Sequence, residues 1–266
     1  MSPDSPIGVF DSGIGGLTVL KEIKARLPHE NVIYFGDTAR VPYGIKSGET
    51  VTRFSREISE YLVGQGVKML VVACNTASSV ALPTLRDNYP IPVVGVLMPG
   101  AYAAARTTKT ERVGVIGTEG TVNSGAYARL IRNIRSGTMV FAHACPLFVP
   151  LVEEGRLSGP ITRLAAEEYL APLMLEDIDT LVLGCTHYPL LKETIAGVMG
   201  PEVELIDSAF ETAREVERVL TKTGLLNVSG APGNTRYAVS DAPERFKRIG
   251  ERFLGYEVPD VEKVEL

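Results

Sequence analysis

Short apolar runs alternate with segments of helical period along most of the chain. Residues 7–10 form an apolar run, and Leu17, Leu20, Ile23 and Leu27 then recur at helical spacing. Residues 32–35 read as a second strand, and Phe54, Ile58, Tyr61 and Leu62 mark a second helix. Residues 69–73 are almost continuously apolar, as a strand buried on both faces must be. A helix over 76–87 and a strand over 92–96 follow. The rhythm restarts with a strand at 113–116, a helix over 121–134 and a strand at 138–142. A long helical pattern over 161–176, a strand at 181–183, a helix over 190–199, a strand at 203–206 and a helix over 209–220 complete it. Strands that alternate with helices predict parallel sheets and an α/β fold.

Two internal echoes refine that expectation. Gly8-Val9-Phe10-Asp11-Ser12-Gly13 resembles Gly114-Val115-Ile116-Gly117-Thr118-Glu119, displaced by 106 residues. Val72-Ala73-Cys74-Asn75-Thr76 resembles Leu183-Gly184-Cys185-Thr186-His187, displaced by 111. Either echo alone is noise, but two at nearly one offset and in the same order predict two similar α/β units. Sites in open α/β sheets form at the carboxyl ends of strands. The expected architecture is a pair of similar parallel-sheet domains in a pseudo-two-fold relation, with the active site in the cleft between them.

Composition narrows the class. The hydrophobic share is 45% and the charged share 22%, ordinary for a globular chain long enough to bury a core without staples. Lys and Arg total 27 against 32 Asp and Glu, a net charge of −5, and no basic run is interleaved with aromatics, which argues against nucleic-acid binding. No apolar stretch reaches a membrane span, and no signal-peptide pattern opens the chain, so the expected location is cytoplasmic. Cys74, Cys145 and Cys185 are odd in number and contain no CxxC; with His29, His143 and His187 scattered, neither a disulfide framework nor a metal site is expected.

The two echoing cysteines stand at strand-to-helix turns. Asn75-Thr76 after Cys74 are good N-cap residues, and Pro189 after Cys185-Thr186-His187-Tyr188 is placed to open a helix. A helix N-terminus favours a thiolate. A free cysteine is commonly just a small core residue, but a core thiol needs no Asn-Thr or Thr-His neighbours. Cys145, between Ala144 and Pro146, lacks such neighbours and is assigned to the core. Asp11-Ser12-Gly13-Ile14-Gly15-Gly16 lets a ligand approach the backbone closely, and a substrate carboxylate suits its amides. The spacing is neither a dinucleotide fingerprint nor a P-loop. Asp11 would repel a phosphate and fits instead an ammonium partner or a base. The loop Val41-Pro42-Tyr43-Gly44 reads either as an ordinary turn or as a lining that offers Tyr43 and the Gly44 amide. His187 is a candidate acid/base or thiol activator. Glu153, Thr118 and Thr121 are possible additional site residues; a solvated helix end competes more strongly for Glu153 than mere packing does for His187.

The four segments Asp-Ser-Gly-Ile-Gly-Gly-Leu-Thr-Val-Leu, Pro-Tyr-Gly, Ala-Cys-Asn-Thr-Ala-Ser and Leu-Gly-Cys-Thr-His-Tyr-Pro-Leu-Leu together resemble the bacterial glutamate racemases, over residues 7–220. That resemblance implies an isomerase interconverting L- and D-glutamate without a cofactor, supplying D-glutamate for peptidoglycan. It implies Cys74 and Cys185 as acid/base thiols, the first acting on D-glutamate and the second on L-glutamate. Asp11 would assist Cys74 and His187 would assist Cys185. Asp11, Ser12, Tyr43, Gly44, Asn75, Thr76, Thr186 and His187 would bind substrate. It further implies one domain of residues 1–97 plus 208–266, another of 98–207, and a homodimer. The alternatives are an aspartate racemase of the same family, a thiol redox enzyme, and an amino-acid-binding protein without catalysis.

Overall fold

A computed structural model describes all 266 residues. They fall into two compact units, one of Met1–Val96 with Ala209–Leu266 and one of Leu97–Ser208. Each is built on its own parallel sheet.

In the first unit, β1 (Ile7–Asp11), β2 (Val32–Gly36) and β3 (Met69–Val72) are buried at every position. Burial on both faces explains why their sequences are runs of apolar residues with no alternation. With β4 (Val93–Gly95), β9 (Thr235–Val239) and β10 (Val261–Lys263) they form a six-stranded sheet in the order β10-β9-β2-β1-β3-β4. Every pairing is parallel, so each connection needs a crossover. Helices supply them: α1 (Leu17–Arg26), α2 (Gly48–Gly64), α3 (Asn75–Val80) and α4 (Leu82–Asn88). One face of the sheet packs Phe10, Phe35, Leu70 and Val72 against Val51, Ile58 and Leu62 of α2.

The second unit begins with α5 (Leu97–Thr107) and carries β5 (Arg112–Gly117), β6 (Met139–Ala144), β7 (Thr180–Gly184) and β8 (Glu204–Asp207). Its sheet order is β6-β5-β7-β8, again all parallel. The central order β2-β1-β3-β4 of the first sheet is thus repeated, β1 answering to β5 and β3 to β7. The helices of this unit are α6 (Glu119–Asn123), α7 (Ala126–Ile134), α8 (Phe148–Glu153), α9 (Pro160–Met174) and α10 (Lys192–Met199). The chain then runs through α11 (Ser208–Thr223) and, past β9, α12 (Pro243–Leu254). No helix is long and apolar enough to cross a membrane.

Two expected helices are broken in the structure. The segment 76–87 divides at Ala81 into α3 and α4, with Pro83 seated in the first turn of α4, where its missing N–H costs little. The segment 121–134 divides at Gly125, whose φ of 61° ends one helix and starts the next. The capping expectation also changes. Asn75 and Thr76 lie inside the first turn of α3, and the residue at the cap is Cys74 itself, its sulfur accepting from Ala77 N at 3.5 Å.

Candidate active site

The strands of the first unit deliver one group of candidates to their carboxyl ends. Asp11 closes β1, paired in register with Gly36 at the end of β2, while Phe10 pairs with Val72 at the end of β3. Ala73 N bonds Phe10 O at 2.8 Å, so Cys74 leaves its strand one residue beyond that rung. Asp11, Ser12 and Cys74 are therefore neighbours by topology. Cys74 Sγ lies 3.7 Å from Ser12 Oγ. Asp11 is 1% exposed, and its Oδ2 accepts from Gly13 N at 2.9 Å, which fixes the carboxylate against its own loop. Asn75 and Thr76 are buried beside Cys74.

Tyr43 and Gly44 form a short 3₁₀ turn, Tyr43–Ile45, after β2. The Tyr43 ring is buried and its hydroxyl donates to Asp37 Oδ2. Burial, and next the Asp37 carboxylate, push the Tyr43 phenol far above its ordinary range, so it stays a neutral donor. Asp37 also accepts from Arg40 Nε at 2.7 Å and from Ser240 Oγ at 2.8 Å. Arg40 pairs with Glu57 and lies 4.1 Å from the Phe54 ring centroid. The roles of Asp37 and Arg40 leave no local sequence pattern, because Ser240 and Glu57, which complete their network, stand far away in the chain.

The second unit builds the other group in the same way. Gly117 and Gly184 are register partners at the ends of β5 and β7, so Thr118 and Cys185 leave adjacent strands. Thr118 caps α6, accepting from Thr121 N at 3.3 Å, and the two hydroxyls lie 3.1 Å apart. Cys185 Sγ is 3.8 Å from His187 Nδ1, and His187 Nε2 is 3.2 Å from Glu153 Oε1. Glu153 is the last residue of α8 and is half-buried, not a solvated end; its contact with His187 joins residues 34 apart, which no local pattern discloses. Thr186 is buried beside them.

Electrostatics distinguishes the second group. Burial pulls the His187 pKa down, but hydrogen bonds to Cys185 and Glu153 outweigh it and raise the ring to about 10. The imidazolium is therefore favoured at neutral pH, held between a sulfur and a carboxylate. Cys145 is fully buried, 3.9 Å from His143 O, and its backbone carbonyl accepts from Tyr188 Oη at 2.8 Å. Burial, with Cys185 nearby, pushes its thiol well above the ordinary range, as for a neutral core residue. All three cysteines are free.

The candidates thus divide in two: Asp11, Ser12, Tyr43, Gly44, Cys74, Asn75 and Thr76 lie in one unit, and Thr118, Thr121, Glu153, Cys185, Thr186 and His187 in the other. Each set contains one thiol, 6% exposed, at the end of topologically matching strands. No group of three or more His, Cys, Asp or Glu side chains has the spacing of a metal site.

The family model described as Asp/Glu/Hydantoin racemase matches residues 7–216. A glutamate racemase of Geobacter metallireducens is 56% identical over 264 residues, covering 99% of this chain and 98% of that protein. Among solved structures, a glutamate racemase isoform from Bacillus anthracis superposes with a TM-score of 0.95 at 43% identity, covering 98% of each chain. One from Francisella tularensis, solved in complex with D-glutamate, superposes with a TM-score of 0.92 at 40% identity, covering 99% of this chain and 98% of that one.

Proposed function

The chain belongs to the Asp/Glu/Hydantoin racemase family, and from that premise we propose that it interconverts L- and D-glutamate by proton transfer between two thiols. The observation that carries this reading is the duplication of the thiol. Cys74 and Cys185 occupy matching strand ends in two units of like topology, each beside its own polar partner, Ser12 or His187.

Racemisation takes a proton from one face of Cα and returns one to the other, so two acid/base groups suffice without turning the substrate over. An ordinary thiol titrates at about 8.5, which leaves both thiol and thiolate accessible near neutral pH. In the L-to-D direction the Cys185 thiolate removes the α-proton, its charge supported by the His187 imidazolium. The Cys74 thiol then delivers a proton to the opposite face. D-glutamate leaves with Cys74 as thiolate and Cys185 as thiol, the state that D-glutamate requires for the reverse reaction. Asp11 is the proposed partner of the substrate ammonium. Ser12, Asn75, Thr76 and Thr186 are the proposed donors to its carboxylates, where they stabilise the carbanionic transition state electrostatically. Tyr43 and Gly44 line the site in this reading. Every step uses the chain's own side chains. The reading requires that the two thiols reach opposite faces of one bound substrate.

Identity above 50% over nearly the whole length to a glutamate racemase supports glutamate as substrate. Three free cysteines suit a reducing compartment such as the cytoplasm, where D-glutamate would feed peptidoglycan assembly. The test is incubation with each enantiomer of glutamate and of aspartate in heavy water, following optical rotation and α-deuteration. Inversion with deuterium uptake for glutamate supports the proposal. Inversion of aspartate alone moves it to a different substrate, and binding without exchange overturns catalysis.

A further inference from the structure

We propose that Tyr34 is a positioning residue for the Cys74 half of the site, acting through the backbone of Gly13. Tyr34 lies in the middle of β2, fully buried, its ring packed beside Tyr237 and Phe246 at centroid distances of 6.4 and 5.7 Å. Its hydroxyl leaves that apolar cluster and donates to Gly13 O at 2.9 Å. The carbonyls of Ile14, Gly15 and Gly16 enter the first helical turns, accepting from Leu17, Thr18 and Leu20 at 3.0 Å each. The Gly13 carbonyl turns the other way, toward β2, and meets the phenol.

The Gly13 backbone is consequently held on both sides of its Cα. Its N–H is bound by Asp11 Oδ2 and its carbonyl by Tyr34. Neighbouring backbone approaches the loop so closely that only glycine fits at two adjoining positions. A Cβ on Gly36 would stand 2.5 Å from Gly13 O, and a Cβ on Gly16 would stand 2.5 Å from Asp11 Cβ and 3.0 Å from the Tyr34 hydroxyl. Asp11, Ser12 and the Tyr34 hydroxyl thus share one rigid loop base, and Ser12 Oγ reaches Cys74 Sγ from it. Removing the hydroxyl leaves a buried carbonyl without its donor and loosens the loop about Gly13. Loosening there shifts the Asp11 carboxylate and Ser12 together, while the Cys185 group in the other unit is untouched.

This inference rests on the racemase reading only for its kinetic arm. The experiment compares wild type, Tyr34→Phe and Tyr237→Phe, the last removing a hydroxyl from the same aromatic cluster without touching the loop. Racemisation is followed by circular dichroism. Alkylation of Cys74 and of Cys185 by iodoacetamide is followed against pH by mass mapping of the two peptides. Tyr34→Phe is expected to lower kcat/KM about tenfold, equally in both directions, because the equilibrium constant between enantiomers is one. It is also expected to displace the alkylation profile of Cys74 and leave that of Cys185 in place. Tyr237→Phe is expected to change neither. Gly36→Ala, which presses on the same carbonyl from the β2 side, should reproduce the Cys74 displacement and serves where Tyr34→Phe folds poorly. An unmoved Cys74 profile in both loop variants, or equal displacement of Cys74 and Cys185, overturns the inference. A wild-type protein that does not racemise glutamate overturns the function instead, and the Cys74 arm still decides the role of Tyr34.

Discussion

Replacing Glu153 by glutamine tests whether the carboxylate sets the charge of His187. Glu153 Oε1 stands 3.2 Å from His187 Nε2, and the imidazole is 8% exposed in its side chain, so solvent screens the pair weakly. The His187 pKa rises from 6.5 to about 10, against a burial effect of opposite sign. At ~1.4 kcal/mol per unit, the net preference for the imidazolium is a few kcal/mol, shared between Cys185 and Glu153. The Glu153→Gln side chain keeps a hydrogen-bond acceptor but loses the charge, and the expected fall in the His187 pKa is on the order of one to two units. The sign follows from linkage: a folded-state pKa above the unfolded value contributes stability fully present below about 6.5, lost as pH rises through about 10. In the Glu153→Gln variant that contribution is smaller and its loss is complete at a lower pH. The chain has three histidines, so His187 is assignable by proton NMR. The titration should be read alongside kcat/KM from about pH 6 to about pH 10. The variant should approach wild type near the acid end of that range and fall progressively behind toward the alkaline end, as His187 loses its proton beside Cys185. A His187 that titrates near its ordinary value of about 6.5 in the wild type, or at the same pH in both proteins, would refute the reasoning.

Other features give independent expectations. Lys68 and Glu30 form a fully buried ion pair, with Lys68 also bonded to Pro3 O and Glu30 accepting from Asn227 N at 2.8 Å. Lys68→Met strands the carboxylate and should cost about 3–5 kcal/mol in urea unfolding, whereas Lys68→Met with Glu30→Leu should recover most of it; a double variant as unstable as the single one contradicts this. Asp179 accepts from Thr108 and Thr180 side chains and from the amides of Lys109 and Thr110, and these bonds outweigh burial to lower its pKa to about 2. Its contribution is present above about 3.8 and is lost as pH falls through about 2, so Asp179→Asn should flatten acid unfolding in that window. Cys145→Ser should retain racemisation with about 1 kcal/mol of lost stability, since the hydroxyl inherits the His143 carbonyl; inactivation with the fold intact would place Cys145 in the chemistry.

Strands buried on both faces were the most legible part of the chain, because nothing but an unbroken apolar run satisfies that environment. What the periodicity missed has identifiable causes. α5 contains Pro99-Gly100, which reads as a break. Pro99 sits in the first turn, where no N–H is needed, and Gly100 leaves room for the Tyr127 hydroxyl, 3.2 Å from where a Cβ would stand. β9 carries Thr235 and Arg236 at its start, and its partner β2 lies far away in the chain, Val32 standing opposite Thr235. β10 is a three-residue edge strand, largely exposed and too short to show a period. Within the candidate site, Cys74 and Cys185 were visible because polar residues followed apolar strands. The contacts of Glu153 with His187 and of Tyr34 with Gly13 were not, since each joins elements whose proximity only the completed sheet creates.

The central claim, that one thiol from each unit moves the α-proton, is tested most directly by the racemisation rates of Cys74→Ser and Cys185→Ser, measured by circular dichroism from both enantiomers of glutamate. A serine hydroxyl is far too weak an acid to replace the thiol near neutral pH. Each variant should therefore lose at least about a hundredfold in kcat in both directions while remaining folded. Full activity in either variant would contradict the two-thiol mechanism.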